Sequence, residues 1–306
     1  MSSLAVGSTA TLVATVADGR VLGLGSDGAV RWTFRLPQVS PGRPSRAAVD
    51  AQGRSYIVAG SGELLALDRR GNRRWRVPVR ASPRGGPTVA PNGTVYVAGD
   101  GLYAVDPEGR VLWHVVTPSR LSTRPSLHPK GLVVVCTEIG RVLAVRSDGS
   151  VAWRADAGAS IDAPAALMSD GSVVVANALG QVLRFGPLGK LRFVLETQAD
   201  KRAAPAVTSK DLIVIASEDH RLHAVDALGN WRWQVQSAGP LPAAPWIDAR
   251  DNLFFGSRDD FLYAVAPNGH VLWKHNVGFD IVAGIVAATD GTLYVTTEGG
   301  GIHAFR

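Results

Sequence analysis

The chain has 306 residues, 46% of them hydrophobic and 19% charged, a composition that supplies a large core and excludes a disordered polymer. One cysteine excludes an internal disulfide, and no apolar run nears the roughly 18 residues that a membrane helix needs. The net charge of +6 is uneven, with 17 Lys and Arg against 8 Asp and Glu over residues 1–130 and 15 against 18 thereafter, so a folded body has a basic and a mildly acidic side.

The 34 glycines and 18 prolines predict many turns. The opening MSSLAVGSTA shows no basic stretch followed by a long apolar one, so no signal peptide is visible. The first unit, residues 2–36, begins with a strand at 4–6 and ends on a hairpin marked by Gly23, Gly28 and Trp32. The second, 44–79, opens near Pro44, carries an alternating strand at 55–58, and reads Ala66-Leu67-Asp68-x-x-Gly71-x-x-x-Trp75. The third, 85–117, repeats this with Pro87, a strand at 94–97, and Ala104-Val105-Asp106-x-x-Gly109-x-x-x-Trp113.

Unit four, 123–156, has Pro125, the apolar strand 133–136, Ala144, Gly149 and Trp153, with Arg146 in the aspartate position. Unit five, 163–196, has Pro164 but departs at Arg184 and Phe193, around Gly189. Unit six, 203–236, has Pro205, Ala224, Gly229 and Trp233. Unit seven, 243–276, has Pro245, Ala264, Gly269 and Trp273, with Ala266 in the aspartate position. Unit eight, 283–306, carries a strand at 292–295 and reaches Ala304 after three strands.

The aromatics step by 43, 38, 40, 40, 40 and 40 residues. Each unit reads as strands joined by turns: one strand ends at the small residue, Asp and Gly turn the chain, and the next strand carries the aromatic. No segment sustains a 3.6-residue apolar period, so helices are not expected. Four-stranded units at this period predict propeller blades, since one blade cannot bury both faces and radial stacking solves this. The expected fold is all-β: one domain over 1–306, a single eight-bladed β-propeller of four-stranded antiparallel blades with the last three-stranded. Seven blades with overlapping ends is the alternative. Trp32, Trp75, Trp113, Trp153, Phe193, Trp233 and Trp273 are expected to pack between blades.

At these residues the sequence resembles the PQQ-like β-propeller repeat family, in its BamB-like form. The Ala-x-Asp-x-x-Gly-x-x-x-Trp run is similar to that family's tryptophan-docking motif, in register over nearly the whole chain. The family holds quinoprotein dehydrogenases and the non-enzymatic propeller subunit of the outer-membrane barrel-assembly machinery. The resemblance implies a bacterial periplasmic or cell-envelope location. Its dehydrogenases hold PQQ beneath a disulfide between adjacent cysteines, beside a calcium ion and a catalytic aspartate. Cys136 stands alone, so no such catalysis, cofactor or metal is expected, and the thiol reads as a small core residue.

Other chemistry reads weakly. Gly23-x-Gly25-x-x-Gly28 matches a dinucleotide fingerprint as text, but Gly28 falls in a blade turn and no helix follows. His220 and His223, near Glu218 and Asp219, point to opposite faces of a strand and read as surface or turn residues. Asp259 and Asp260 read as a solvated turn. Trp231 and Trp246 lie outside the aromatic series; Trp246 follows Pro245 at the start of an inner strand, where facing the channel mouth is the alternative to plain packing. Arg69, Arg70, Arg73, Arg74 and Arg76 crowd one hairpin, but without interleaved aromatics nucleic acid is not expected.

The connections between units carry Arg43, Arg46, Arg80, Arg84, Arg120 and Arg124, and later Lys201 and Arg202. Equivalent loops lie side by side, so these residues are expected to form a basic arc for a partner's acidic segment; plain solvated charge is the alternative. The function expected is that of a monomeric, non-catalytic protein-binding scaffold, with open strand edges also able to pair an extended peptide. A ligand sensor or enzyme using the central channel is the alternative.

Overall fold

Six of the seven described outer hairpins are closed by a polar side chain of their own turn, and that of blade five, Gly186 to Gly189, by backbone bonds alone. In unit three the Asp106 carboxylate accepts the amides of Glu108 at 3.0 Å and Arg110 at 2.8 Å, while the Gly109 amide donates to the Asp106 carbonyl at 3.0 Å. Gly109 takes a φ of 90°, which side chains disfavour, and the pairing slips by one residue between Ala104 and Val105. A turn followed by a left-handed glycine thus makes a bulged hairpin. The same slip recurs in all seven four-stranded sheets.

The computed structural model describes residues 3–7, 12–25, 27–37, 46–81, 85–121, 123–128, 130–197, 203–281, 284–288, 290–298 and 301–305. Among these there is no helix, and the strands form eight antiparallel sheets in simple sequence order. Blade one runs Ser3–Val6, Leu12–Thr15, Arg20–Leu24 and Val30–Arg35 from the inside outward. Blade eight holds three strands, Val286–Ala287, Leu293–Thr296 and Ile302–Phe305. The eight-bladed reading holds, and the seven-bladed alternative falls.

Burial explains the ring. The second strand of each blade is buried on both faces, as in Val133–Cys136 and Ile213–Ala216, and reads as a continuous apolar run. The apolar residues divide into eight clusters, and each spans two adjacent blades. One joins Leu12, Ala14 and Leu24 of blade one to Ala288 and Tyr294 of blade eight, so the ring closes through its core. Water is thus excluded between blades rather than within them.

Candidate functional site

The aromatics sit where the repeat places them. The ring of Trp75 lies over Gly109 of the next blade, where a Cβ would come within 2.8 Å of it. Its indole N–H donates to the Pro107 carbonyl at 2.9 Å, Trp113 does the same to Ser147 at 2.8 Å, and Trp233 to Pro267 at 2.9 Å. In blade five Phe193 has no N–H, and Arg184 supplies one: its guanidinium donates to the equivalent carbonyl, Ala227, at 2.5 Å. It also holds Asp170 at 2.7 Å. Trp32, Trp113 and Phe193 are half-buried and Trp153 is buried, while Trp273 is exposed.

These contacts define two faces. The third-to-fourth-strand hairpins lie beside the first-to-second-strand turns, as Pro107 does beside Gly93. On the opposite face the blade-to-blade connections bond to the second-to-third-strand turns: Ala81 N–H to Gly62 at 2.9 Å, Leu121 to Gly99 at 3.0 Å, and Ala157 to Gly140 at 2.8 Å. Arg46, Arg80, Arg120 and Arg124 lie on these connections, whereas Arg69, Arg70, Arg73, Arg74 and Arg76 are exposed around the hairpin of the other face. Arg43, Arg84, Lys201 and Arg202 lie outside the described residues.

Of the four described arginines Arg124 is half-buried, and Arg46 is exposed like the other two. Arg80, at a φ of 45°, and Arg120 are exposed, and Arg80 lies 3.9 Å from Asp100. Arg46 and Arg124 occupy equivalent positions in blades two and four, just before the inner strands Ala47–Val49 and Ser126–Leu127. Blade three has Gly86 at that position, and the Arg46 side chain packs against it. Arg124 reaches back across blade three: Nε donates to Thr88 Oγ1 at 3.2 Å and Nη2 to the Pro87 carbonyl at 3.3 Å. The Thr88 hydroxyl in turn donates to the Pro125 carbonyl at 2.7 Å.

Among the described residues neither Arg46 nor Arg124 has a carboxylate partner. Burial lowers the pKa of both, and for Arg124 the neighbouring charge of Arg46 lowers it further. Arg46 is exposed and Arg124 half-buried, so two like charges stand near each other at the surface without a carboxylate partner among the described residues. The remaining N–H groups suit bidentate recognition.

Two readings of single residues need correction. His223 is not a surface residue: it is buried, its Nε2 lies 2.8 Å from Asp219, and its ring meets Trp231 edge-on. Asp259 is not simply solvated, because it accepts from the Tyr263 hydroxyl at 2.7 Å and the Ala238 amide at 2.9 Å. Trp246 packs against Phe254 at 5.5 Å within the core between blades seven and eight.

A metal-bound quinone does not fit these residues. Cys136 is single and fully buried, and burial pushes its thiol up to about 12. No three His, Cys, Asp or Glu side chains converge among the described residues. A shallow pocket of about 270 Å³ lies on outer strands of blade four, where its Arg141 and Asp156 already pair with each other at 2.6 Å. No described helix is long and apolar enough to cross a membrane.

The family described as outer membrane protein assembly factor BamB matches residues 17–155 and 138–259. No curated protein sequence matches the chain. Among solved structures, BamB from Moraxella catarrhalis is 17% identical, with a TM-score of 0.68 over 88% of this chain and 83% of that one. A europium-containing methanol dehydrogenase is 14% identical, with a TM-score of 0.73 over 94% of this chain and 80% of that one. The computationally designed Ika8 protein is 16% identical, with a TM-score of 0.81 over 99% and 96%. At such identities the likeness is one of fold, and that fold serves an assembly factor and an enzyme alike.

Proposed function

The chain belongs to the family of outer membrane protein assembly factor BamB, and from that premise we propose a non-catalytic, monomeric scaffold of the bacterial periplasm or envelope that captures an acidic segment of a partner protein. The observation that carries this reading is that Arg46 and Arg124 lie on one face, near enough for the charge of Arg46 to act on Arg124, with no carboxylate partner among the described residues. Exposed Arg80 and Arg120 on the same face add attraction at longer range, with Arg43, Arg84, Lys201 and Arg202 proposed to extend it. Exposed charges such as Arg80 beside Asp100 are screened by salt, so half-buried Arg124, held by Thr88 and Pro87, supplies the best-ordered contact of the set.

Isothermal titration with a hexaglutamate peptide tests the proposal. The wild-type chain is expected to bind it, and the double variant Arg46→Glu/Arg124→Glu to lose at least tenfold in affinity. A charge-matched control on the opposite face, Arg70→Glu/Arg74→Glu, should bind as wild type does. Equal binding by both double variants would reject the site. The same guanidinium pair also suits a small dicarboxylate in the channel, and a succinate titration tests that second reading.

A further inference from the structure

In three outer hairpins a cation pairs with the acid of its own turn: Arg31 with Asp27 at 2.7 Å, Arg110 with Asp106 at 3.4 Å, and Arg232 with Asp226 at 2.7 Å. Blade two differs. Five arginines surround one acid, Asp68, whose oxygens already accept from the Arg70 amide at 2.8 Å, the Asn72 amide at 2.9 Å and the Asn72 side chain at 3.1 Å. Arg69, Arg70, Arg73 and Arg74 are exposed, and none has a carboxylate partner among the described residues. Arg76 lies 3.8 Å from Glu63. The flanking hairpins are apolar at the same rim. Trp32 packs on Gly71 and Trp75 on Gly109, so the hairpins of blades one, two and three stand side by side. Two residues before each aromatic come Val30, Arg73 and Val111. Val30 is 55% exposed, Val111 46%, and Leu112 beside it 54%.

We propose that this rim is a peripheral contact for an anionic phospholipid bilayer. Arg69, Arg70, Arg73 and Arg74 meet the headgroup phosphates, which their planar guanidinium groups suit. Val30, Val111 and Leu112, to either side, enter the boundary between headgroups and acyl chains. A bilayer surface takes up charge and exposed apolar area together. Nucleic acid supplies phosphates but leaves the valines and the leucine uncovered, and its bases need exposed aromatic platforms, whereas Trp75 is docked on Gly109. A short acidic peptide supplies neither a dense plane of charge nor an apolar layer, and single exposed ion pairs are weak. The rim lies on the face opposite Arg46 and Arg124, and the inference does not depend on their role.

The probes are vesicles of phosphatidylcholine alone and vesicles of phosphatidylcholine mixed with phosphatidylglycerol, floated with the full protein at about 0.1 M salt. Binding to the mixed vesicles and not to the neutral ones is expected. Arg70→Glu/Arg74→Glu should weaken it at least tenfold while leaving hexaglutamate binding unchanged, and Arg46→Glu/Arg124→Glu should leave vesicle binding intact. Val111→Ser/Leu112→Ser, which removes no charge, should weaken it at least threefold, with a thermal melt confirming that each variant is folded. Equal binding to both kinds of vesicle, indifference to the arginine variant or to the apolar one, or binding of a random DNA duplex as tight as that of the mixed vesicles would overturn the proposal.

Discussion

Arg184 and Phe193 look like two defects in the repeat, yet together they keep one hydrogen bond. Elsewhere the indole N–H of Trp75, Trp113 or Trp233 reaches the neighbouring turn, and in blade five the guanidinium reaches the Ala227 carbonyl instead. Removing a charged donor from such a carbonyl costs about 1–3 kcal/mol. Arg184→Ala is therefore expected to lower stability in chemical denaturation by about that much. Phe193→Trp alone should also destabilise, because Arg184 fills the space beside it. The double variant should recover most of the loss, a coupling that a mutant cycle measures directly. Additive losses would show that the two changes are unrelated. Single-residue logic of this kind was hidden in the sequence, where each departure reads alone. Asp211 and Asp251 were hidden in the same way: they stand in left-handed turn positions and clip Ser169 and Ser209 of the preceding blade.

At the scale of the element, the outer hairpins of blades one, two, three, four and six are closed by aspartate carboxylates. Burial raises the Asp226 pKa, but the amides of Asn230 and Leu228, the Asn230 side chain and Arg232 outweigh it and hold the group down to about 2. Asp68, Asp148 and Asp170 are lowered as well by hairpin and turn hydrogen bonds. A depressed folded-state pKa gives stability that is present above the unfolded value of 3.8 and is lost as pH falls towards 2. Thermal melts of the wild type should therefore drop steeply from pH 4 to pH 2. Asp226→Asn should start lower at pH 6 and fall less over that interval, and an equal fall in both proteins would remove Asp226 from the account. These hairpins were legible in advance because aspartate, glycine and aromatic recur at fixed spacing. The rim was legible only in part: the arginines were visible, but the reach of Arg124 to Thr88 and Pro87 of blade three and the contact of Arg46 with Gly86 require three blades to be set side by side.

For the whole molecule, the ring closes through its inner core between blades one and eight while the outer part of that seam stays open. The account depends on stability being shared across seams, with each blade relying on its neighbour's ring. Amide hydrogen exchange of the free protein, resolved by strand, tests this most directly. Third strands with a covered outer edge, Arg221–Val225 and Phe261–Val265, should exchange slowly and alike, and Ile302–Phe305 should exchange far faster. Protection of Ile302–Phe305 equal to that of Phe261–Val265 would contradict the account.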